Sequence, residues 1–267
     1  MKSVVITGST KGIGLGLALE FLKRGCSVVI SGRNKNKLTE EVARAEKKFG
    51  TDKVLGKTCD VCNILQVQDL WDSAKAKFGK VDIWINNAGR DTSMVMLWEL
   101  DPEEIYATIN TNITGLIFGT KIALKGMIEQ GGGQIYNMEG FGSSDMMRPG
   151  MTVYGTTKRA VRYFTESVIE EAKDTPVQIG TLGPGMVVTD FMLNGLRKMS
   201  PEKLAEVKPI YNMLADKVET VTPFLVEEIL KNNKTGAKID WLTNEKAMER
   251  MNSEEYINRD LLGEFGF

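Results

Sequence analysis

Residues Val4-Val5-Ile6-Thr7-Gly8-Ser9-Thr10-Lys11-Gly12-Ile13-Gly14 decide the fold. An apolar, β-branched run stops at a glycine, and a glycine-spaced loop leads straight into an amphipathic segment at Leu15 to Arg24. Strand, loop and helix in that order open a βαβ unit whose loop suits a dinucleotide pyrophosphate. Gly8 admits the tight turn, Gly12 lets the backbone approach the anion, and Gly14 lets the helix pack on the strand. The helix amino terminus adds unpaired N–H groups and a positive dipole end. A turn without a ligand is the simpler alternative, and the ordered context argues against it.

Working outward, the alternation continues. Apolar runs recur at Ser27 to Ser31, Lys53 to Thr58, Val81 to Asn86, Gln134 to Met138, Val177 to Leu182 and Lys238 to Leu242. Between them lie amphipathic segments at Asn36 to Phe49, Ile64 to Phe78, Glu103 to Gln130, Tyr154 to Lys173 and Glu219 to Lys231. Seven strands alternating with helices predict one α/β domain over residues 1–267, a parallel sheet with helices on both faces. Residues 186–215 break the alternation as a long insertion after the sixth strand, where open α/β sheets bind ligands, and are expected to form a substrate lid. The tail at 244–267 reads equally as a cover for a pocket or for an interface.

Lys and Arg number 34 against 35 Asp and Glu. With no global field to draw nucleic acid or an anionic membrane, neither is an expected partner. No stretch reaches the roughly 18 apolar residues of a membrane span, and the first strand comes too early for a signal peptide. The expectation is a cytoplasmic protein. Cys26, Cys59 and Cys62 make an odd count that suits no disulfide framework. Cys59-x-x-Cys62 lacks a second pair, so it reads as a strand end and turn, and no metal site is expected. The chain contains no histidine, which removes histidine-based nucleophile systems and leaves Tyr, Lys, Asp, Glu or Cys for proton transfer.

The second strand ends Ser31-Gly32-Arg33-Asn34, without the carboxylate that would accept the ribose hydroxyls of NAD. Arg33 with Lys11 predicts instead a cationic clamp for a 2′-phosphate, hence NADP(H); either residue alone would read as a solvated charge. Tyr154-Gly155-Thr156-Thr157-Lys158 puts a phenol and an ammonium four apart on one helix face. A phenol titrates near 10, and a neighbouring cation favours its ionised form, so Tyr154 can exchange a proton with a carbonyl or alcohol oxygen.

These motifs, with Asn86-Asn87-Ala88-Gly89, Asn112-Ile113-Thr114-Gly115 and Pro184-Gly185 followed by Thr189, resemble the short-chain dehydrogenase/reductase family. The resemblance implies a Rossmann fold that binds NADP(H) and works as a homodimer or homotetramer through its two long helices. Carried over by position, Gly8, Ser9, Thr10, Lys11, Gly12, Ile13 and Gly14 form the phosphate loop, and Asp60 with Val61 meets the adenine. Asn86, Ala88 and Gly89 line the cofactor ribose. Pro184, Gly185, Val187 and Thr189 lie beside the carboxamide and pyrophosphate. Asn112 holds the water of a proton relay, and Lys158 also bonds the nicotinamide ribose.

The family's serine pair after the fifth strand is replaced by Glu139-Gly140, and serines follow later as Ser143 and Ser144. Asn137-Met138-Glu139-Gly140-Phe141-Gly142-Ser143 and Pro184-Gly185-Met186-Val187-Val188-Thr189-Asp190 resemble the chlorophyll b reductase branch in particular. Ser143 is the expected replacement contact to the substrate oxygen, with a protonated Glu139 as its competitor. The expected reaction is hydride transfer between nicotinamide and a carbonyl/alcohol pair on a bulky hydrophobic small molecule, such as a steroid or bile-acid ketone or a tetrapyrrole aldehyde. The alternative is a catalytically silent NADP(H)-binding module. Met94, Met96, Met146, Met147, Met151, Met186, Met192, Met199 and Met213 fall in segments expected to line the substrate pocket.

Overall fold

The computed structural model describes residues 1–267. Its strands are β1 (Ser3–Ile6), β2 (Ser27–Gly32), β3 (Val54–Thr58), β4 (Ile83–Asn86), β5 (Gly133–Met138), β6 (Val177–Gly183), β7 (Val187–Val188), β8 (Asp216–Lys217) and β9 (Lys238–Asp240). Seven of them form one parallel sheet in the order β3-β2-β1-β4-β5-β6-β9, and β7 pairs with β8 apart from it. This is the doubly wound Rossmann arrangement, with its strand order reversing between β1 and β4.

Alternation along the strands builds two cores. Val4, Ile6, Val28, Ile30 and Ile85 face α1 (Gly12–Lys23), α2 (Lys35–Phe49) and α9 (Val218–Lys231), where Leu17, Phe21, Leu38, Val221, Leu225 and Ile229 cover them. Val5, Val29, Trp84, Ile135 and Ile179 point the other way. They meet α3 (Ile64–Phe78), α5 (Gly115–Glu129) and α6 (Thr152–Glu171) through Leu70, Trp71, Ala123, Met127 and Val168. Strands buried on both faces read as continuous apolar runs, which is why they were prominent in the sequence.

One expectation changes. The single helix expected at Glu103 to Gln130 is α4 (Pro102–Ile109), a π turn at Asn110–Thr114, and then α5. Tertiary contacts impose the π turn, since Asn112 is tied both to the β4–α4 loop and to α6. The insertion after β6 is β7, α7 (Asp190–Arg197), α8 (Pro201–Leu214) and β8. It has a core of its own, in which Val188, Leu193, Leu196, Val207 and Ala215 pack with Leu261 and Leu262 of the tail. The tail, α10 (Asn244–Met251) and α11 (Glu254–Ile257) with a short 3₁₀ turn, therefore covers the insertion. Buried Asp216 fastens it by pairing with Arg250 at 2.8 Å and Arg259 at 3.4 Å and accepting from Trp241 Nε1 at 2.6 Å. Removing one partner of such a buried pair strands the other charge.

Candidate functional site

The β1–α1 loop is locked to the loop after β4. Thr7 Oγ1 accepts the amides of Asn87 and Ala88, each at 3.0 Å, and Asn87 Nδ2 donates to the carbonyls of Thr7 and Gly8 at 2.9 and 3.1 Å. Gly8 has φ +64°, and a Cβ there would lie 2.9 Å from Ala88 Cα, so the turn and the close approach both require glycine. A Cβ on Gly14 would lie 2.4 Å from Asn87 Nδ2, and one on Gly12 3.4 Å from Thr189 Cγ2. Three separated motifs thus meet at the carboxyl ends of β1, β4 and β6.

Whether this cradle suits an anion depends on its donors. Helices α2 and α3 open on Asn34 and Asn63, whose side chains accept their first amides. Helix α1 opens on Lys11 with no side-chain acceptor, so its amides remain available to a phosphate. Lys11 and Arg33 are exposed, and the neighbouring ion pairs, Lys37–Glu41 and Lys57–Asp69, leave both without a carboxylate partner. The cradle and the two cations fit a phosphorylated dinucleotide.

Some expected contacts can come only from the backbone. Ser9 is buried, its hydroxyl donating to the Ile6 carbonyl at 2.7 Å and accepting the Ser31 amide. The Asn86 side chain lies in an interior network, accepting from Trp84 Nε1 and donating to Thr120 and Asn137 at 2.8 to 2.9 Å. Val187 packs into the first core and Val61 into the second. Cys59 also sits in the second core, where burial pushes its thiol up to about 12.

At β5 and α6 the chemistry gathers. Lys158, buried, donates from Nζ to the Met138 carbonyl at 3.0 Å, and Nζ stands 5.8 Å from the Tyr154 ring centre. Burial lowers Lys158 to about 8 against the pull of Glu139 and Asp91. Burial first, and then the Asp91 carboxylate, raises the Tyr154 phenol above its ordinary range. Burial thus opposes the ionisation that the neighbouring Lys158 ammonium favours. Asn112 accepts the Arg90 amide at 2.8 Å and donates to the Arg90 carbonyl and Thr157 Oγ1, pinning the β4–α4 loop to α6.

Ser143 takes a different position from the expected one. It is buried, and its hydroxyl donates to the Gly140 carbonyl at 2.8 Å and accepts the Gly140 amide at 3.1 Å. Arg159 and Arg162 of α6 hold its carbonyl. Its hydroxyl closes the Gly140–Ser143 turn. Glu139 has one buried carboxyl oxygen, Oε1, with no hydrogen-bond partner, and burial followed by the nearby Asp240 raises its pKa, which suits a protonated acid.

Three residues beside Tyr154 were not singled out by the sequence reading. A Cβ on Gly140 would lie 2.6 Å from Tyr154 Oη. Asp91, two residues past Gly89, is pushed up to about 6 by burial and raises Tyr154 in turn. The Phe191 ring of α7 lies 6.2 Å from the Tyr154 ring, centre to centre, tilted by 53°. The methionines divide. Met186, Met192 and Met199 pack against the third core, Met146 and Met147 stand exposed, and Met94 with Met199 lines a cleft of about 300 Å³.

A model of the short chain dehydrogenase family matches residues 2–199. The chain is 34% identical over 258 residues to the probable chlorophyll(ide) b reductase NYC1, chloroplastic, of Oryza sativa subsp. japonica, covering 91% of this chain and 50% of the relative. It is 38% identical over 232 residues to the chlorophyll(ide) b reductase NOL, chloroplastic, of the same plant, covering 85% of this chain and 66% of that one. The chain therefore spans between half and two thirds of these relatives' lengths, and their chloroplast designation contrasts with the cytoplasmic expectation. Among solved structures, a closed form of serine dehydrogenase complexed with NADP+ superposes with a TM-score of 0.76 at 27% identity, covering 89% of this chain and 93% of that one. No helix of the chain is long and apolar enough to cross a membrane.

Proposed function

The chain belongs to the short-chain dehydrogenase family, and from that premise we propose that it is an NADP(H)-dependent oxidoreductase interconverting a carbonyl and an alcohol on a bulky apolar substrate. The observation that carries the reading is the Lys158–Met138 bond of 3.0 Å, which fixes a buried cation beside Tyr154 at the carboxyl edge of the sheet. The glycine loop, the open amides of α1, the Asn87–Gly89 backbone and Thr189 would hold the dinucleotide, and Lys11 with Arg33 its 2′-phosphate. When bound, the nicotinamide supplies or accepts the hydride.

The protein's own part is proton transfer. In the reducing direction Tyr154, kept protonated by burial, donates its Oη proton to the carbonyl oxygen as negative charge grows there. The Lys158 ammonium offsets the phenolate left behind. Oxidation requires the phenol to lose its proton first, a step that burial and Asp91 oppose.

A bulky apolar substrate is supported by the rim of the site. Val95, Met96, Leu97 and Trp98 are exposed on the loop after β4, and Met146, Met147 and Phe191 are exposed on the segments facing it. The backbones of Gly150 and Met94 adjoin, so the two loops form one apolar border, the kind of surface that marks a binding site. The relatives named as chlorophyll(ide) b reductases support a polycyclic carbonyl. A groove between α5 and α6, walled by Ile117, Leu124, Ile128 and Phe164, supports pairing with a second copy. The test is NADPH consumption with carbonyls of one to four rings at constant carbonyl chemistry. kcat/KM should climb with ring number, and a flat series would reject the polycyclic substrate.

A further inference from the structure

Beyond the tyrosine, the border between the β4–α4 loop and the insertion opens into the 300 Å³ cleft lined by Ser93, Met94, Val95, Gly195, Lys198, Met199, Ser200 and Lys203. Met94, Val95 and Met199 give it an apolar wall, and Ser93, Ser200, Lys198 and Lys203 a polar one. Phe191, Gly195 and Lys198 follow one another at helical spacing along α7, so the face that brings Phe191 to Tyr154 leads on to Lys198. Seven residues at 1.5 Å rise separate the two ends by about 10 Å. Gly195, between them, keeps the floor open, since a Cβ there would meet nothing within 4 Å.

The charges at the Lys198 end are unequal in their commitments. Lys203 pairs with Glu206 at 2.7 Å, and the Ser200 hydroxyl accepts the Lys203 amide. Glu104 is held by the Ser93 amide at 2.7 Å and hydroxyl at 2.9 Å. Asp91 lies toward Tyr154, where its carboxyl acts on both Tyr154 and Lys158. Lys198 pairs with no carboxylate, although its charge reaches both Asp91 and Glu104. We infer that this cleft is the distal subsite for an amphipathic substrate, and that Lys198 binds an anionic group, a carboxylate in the first instance, carried about 10 Å from the reacting carbonyl. This rests on the reductase reading and refines its substrate from an apolar molecule to one with an apolar body and an anionic end. Ionic contact at this distal end also selects orientation, because the body must lie along α7 with its carbonyl toward Tyr154.

The probes are ω-benzoyloctanoate, whose carboxylate lies about 10 Å from its ketone when extended, its methyl ester, and the short β-benzoylpropionate. Wild-type enzyme with NADPH should favour the long acid over its ester by about tenfold in kcat/KM, mainly through KM, as the loss of one charge-assisted contact implies. The short acid should show no such preference. Lys198→Met should bring the acid-to-ester ratio near one, and Gly195→Leu should raise KM for the long acid by filling the floor. A ratio near one in the wild type, or one unchanged by Lys198→Met, would overturn the subsite while leaving the reductase reading intact. If no ketone is reduced, that reading fails by itself. Calorimetric titration of ω-phenyloctanoate into wild type and Lys198→Met then decides the subsite, weaker binding by the variant supporting it and equal binding refuting it.

Discussion

Replacing Gly140 by alanine tests the proposed proton donor through geometry alone. The added Cβ would stand 2.6 Å from Tyr154 Oη and 3.2 Å from Lys158 Cε, where ordinary contact begins near 3.4 Å. The tyrosine ring is rigid and Lys158 is anchored to Met138, so the phenolic oxygen must yield by about 0.8 Å, a displacement of the size that costs up to 10²-fold in rate. Gly140 is not among the glycines with positive φ, so alanine imposes no backbone strain there and the fold should stand. We expect kcat for NADPH-driven ketone reduction to fall between about tenfold and a hundredfold, with the thermal midpoint nearly unchanged. Gly155→Ala is the control, because its Cβ would meet only Gly142 Cα at 3.8 Å. A folded Gly140→Ala enzyme keeping more than half of wild-type kcat would show that Tyr154 Oη is not the atom whose placement matters.

Tyr154→Phe should abolish nearly all turnover yet leave cofactor binding intact by fluorescence titration; retention of more than about a tenth of kcat would remove the tyrosine from its role. NADPH should exceed NADH by roughly a hundredfold in kcat/KM, with Arg33→Asp shifting preference toward NADH, and equal rates with both cofactors would reject the 2′-phosphate clamp. Ketone reduction should decline as pH rises through about 8, where Lys158 loses the proton that offsets the phenolate. Asp91 binds its proton more tightly in the folded state, so its stabilising contribution is full below the unfolded value near 3.8 and is lost as pH rises through about 6. Asp91→Asn should therefore raise the thermal midpoint more at pH 7 than at pH 4, by up to about 3 kcal/mol of stability, and a uniform shift would contradict the buried carboxyl.

The sheet was legible because its strands lie between two helical layers. Burial on both faces demands unbroken apolar runs such as Val4 to Ile6 and Val28 to Ile30, and those runs cannot be mistaken for surface. Local spacing also conveyed the glycine loop and the Tyr154/Lys158 pair, since each depends on residues a turn or two apart. The π turn was not legible. Asn112 bonds to Arg90, 22 residues earlier, and to Thr157, 45 residues later, and no periodicity within the helix reports either contact.

What the sequence hid about the site follows the same division. Ser143 looked like a substitute for the missing serine because it follows slightly later in a loop long enough to curl back, yet loop length says nothing of where a hydroxyl points. The Gly140 backbone offers that hydroxyl both a donor and an acceptor within 3.1 Å. The methionines posed the opposite problem. Their segments do border the active face, but the insertion needs a core, and Met186, Met192 and Met199 join one that becomes apparent only when the tail folds back over α7 and α8. The rigid pieces nearest Tyr154 are then Gly140, Asp91 and Phe191, a glycine, a carboxylate and an aromatic with no shared spacing. The proposed proton transfer at Tyr154 thus draws on motifs that local sequence encodes. The shape and charge of the space around it come from three loops that meet only in the folded chain, so substrate choice can change while the chemistry stays fixed.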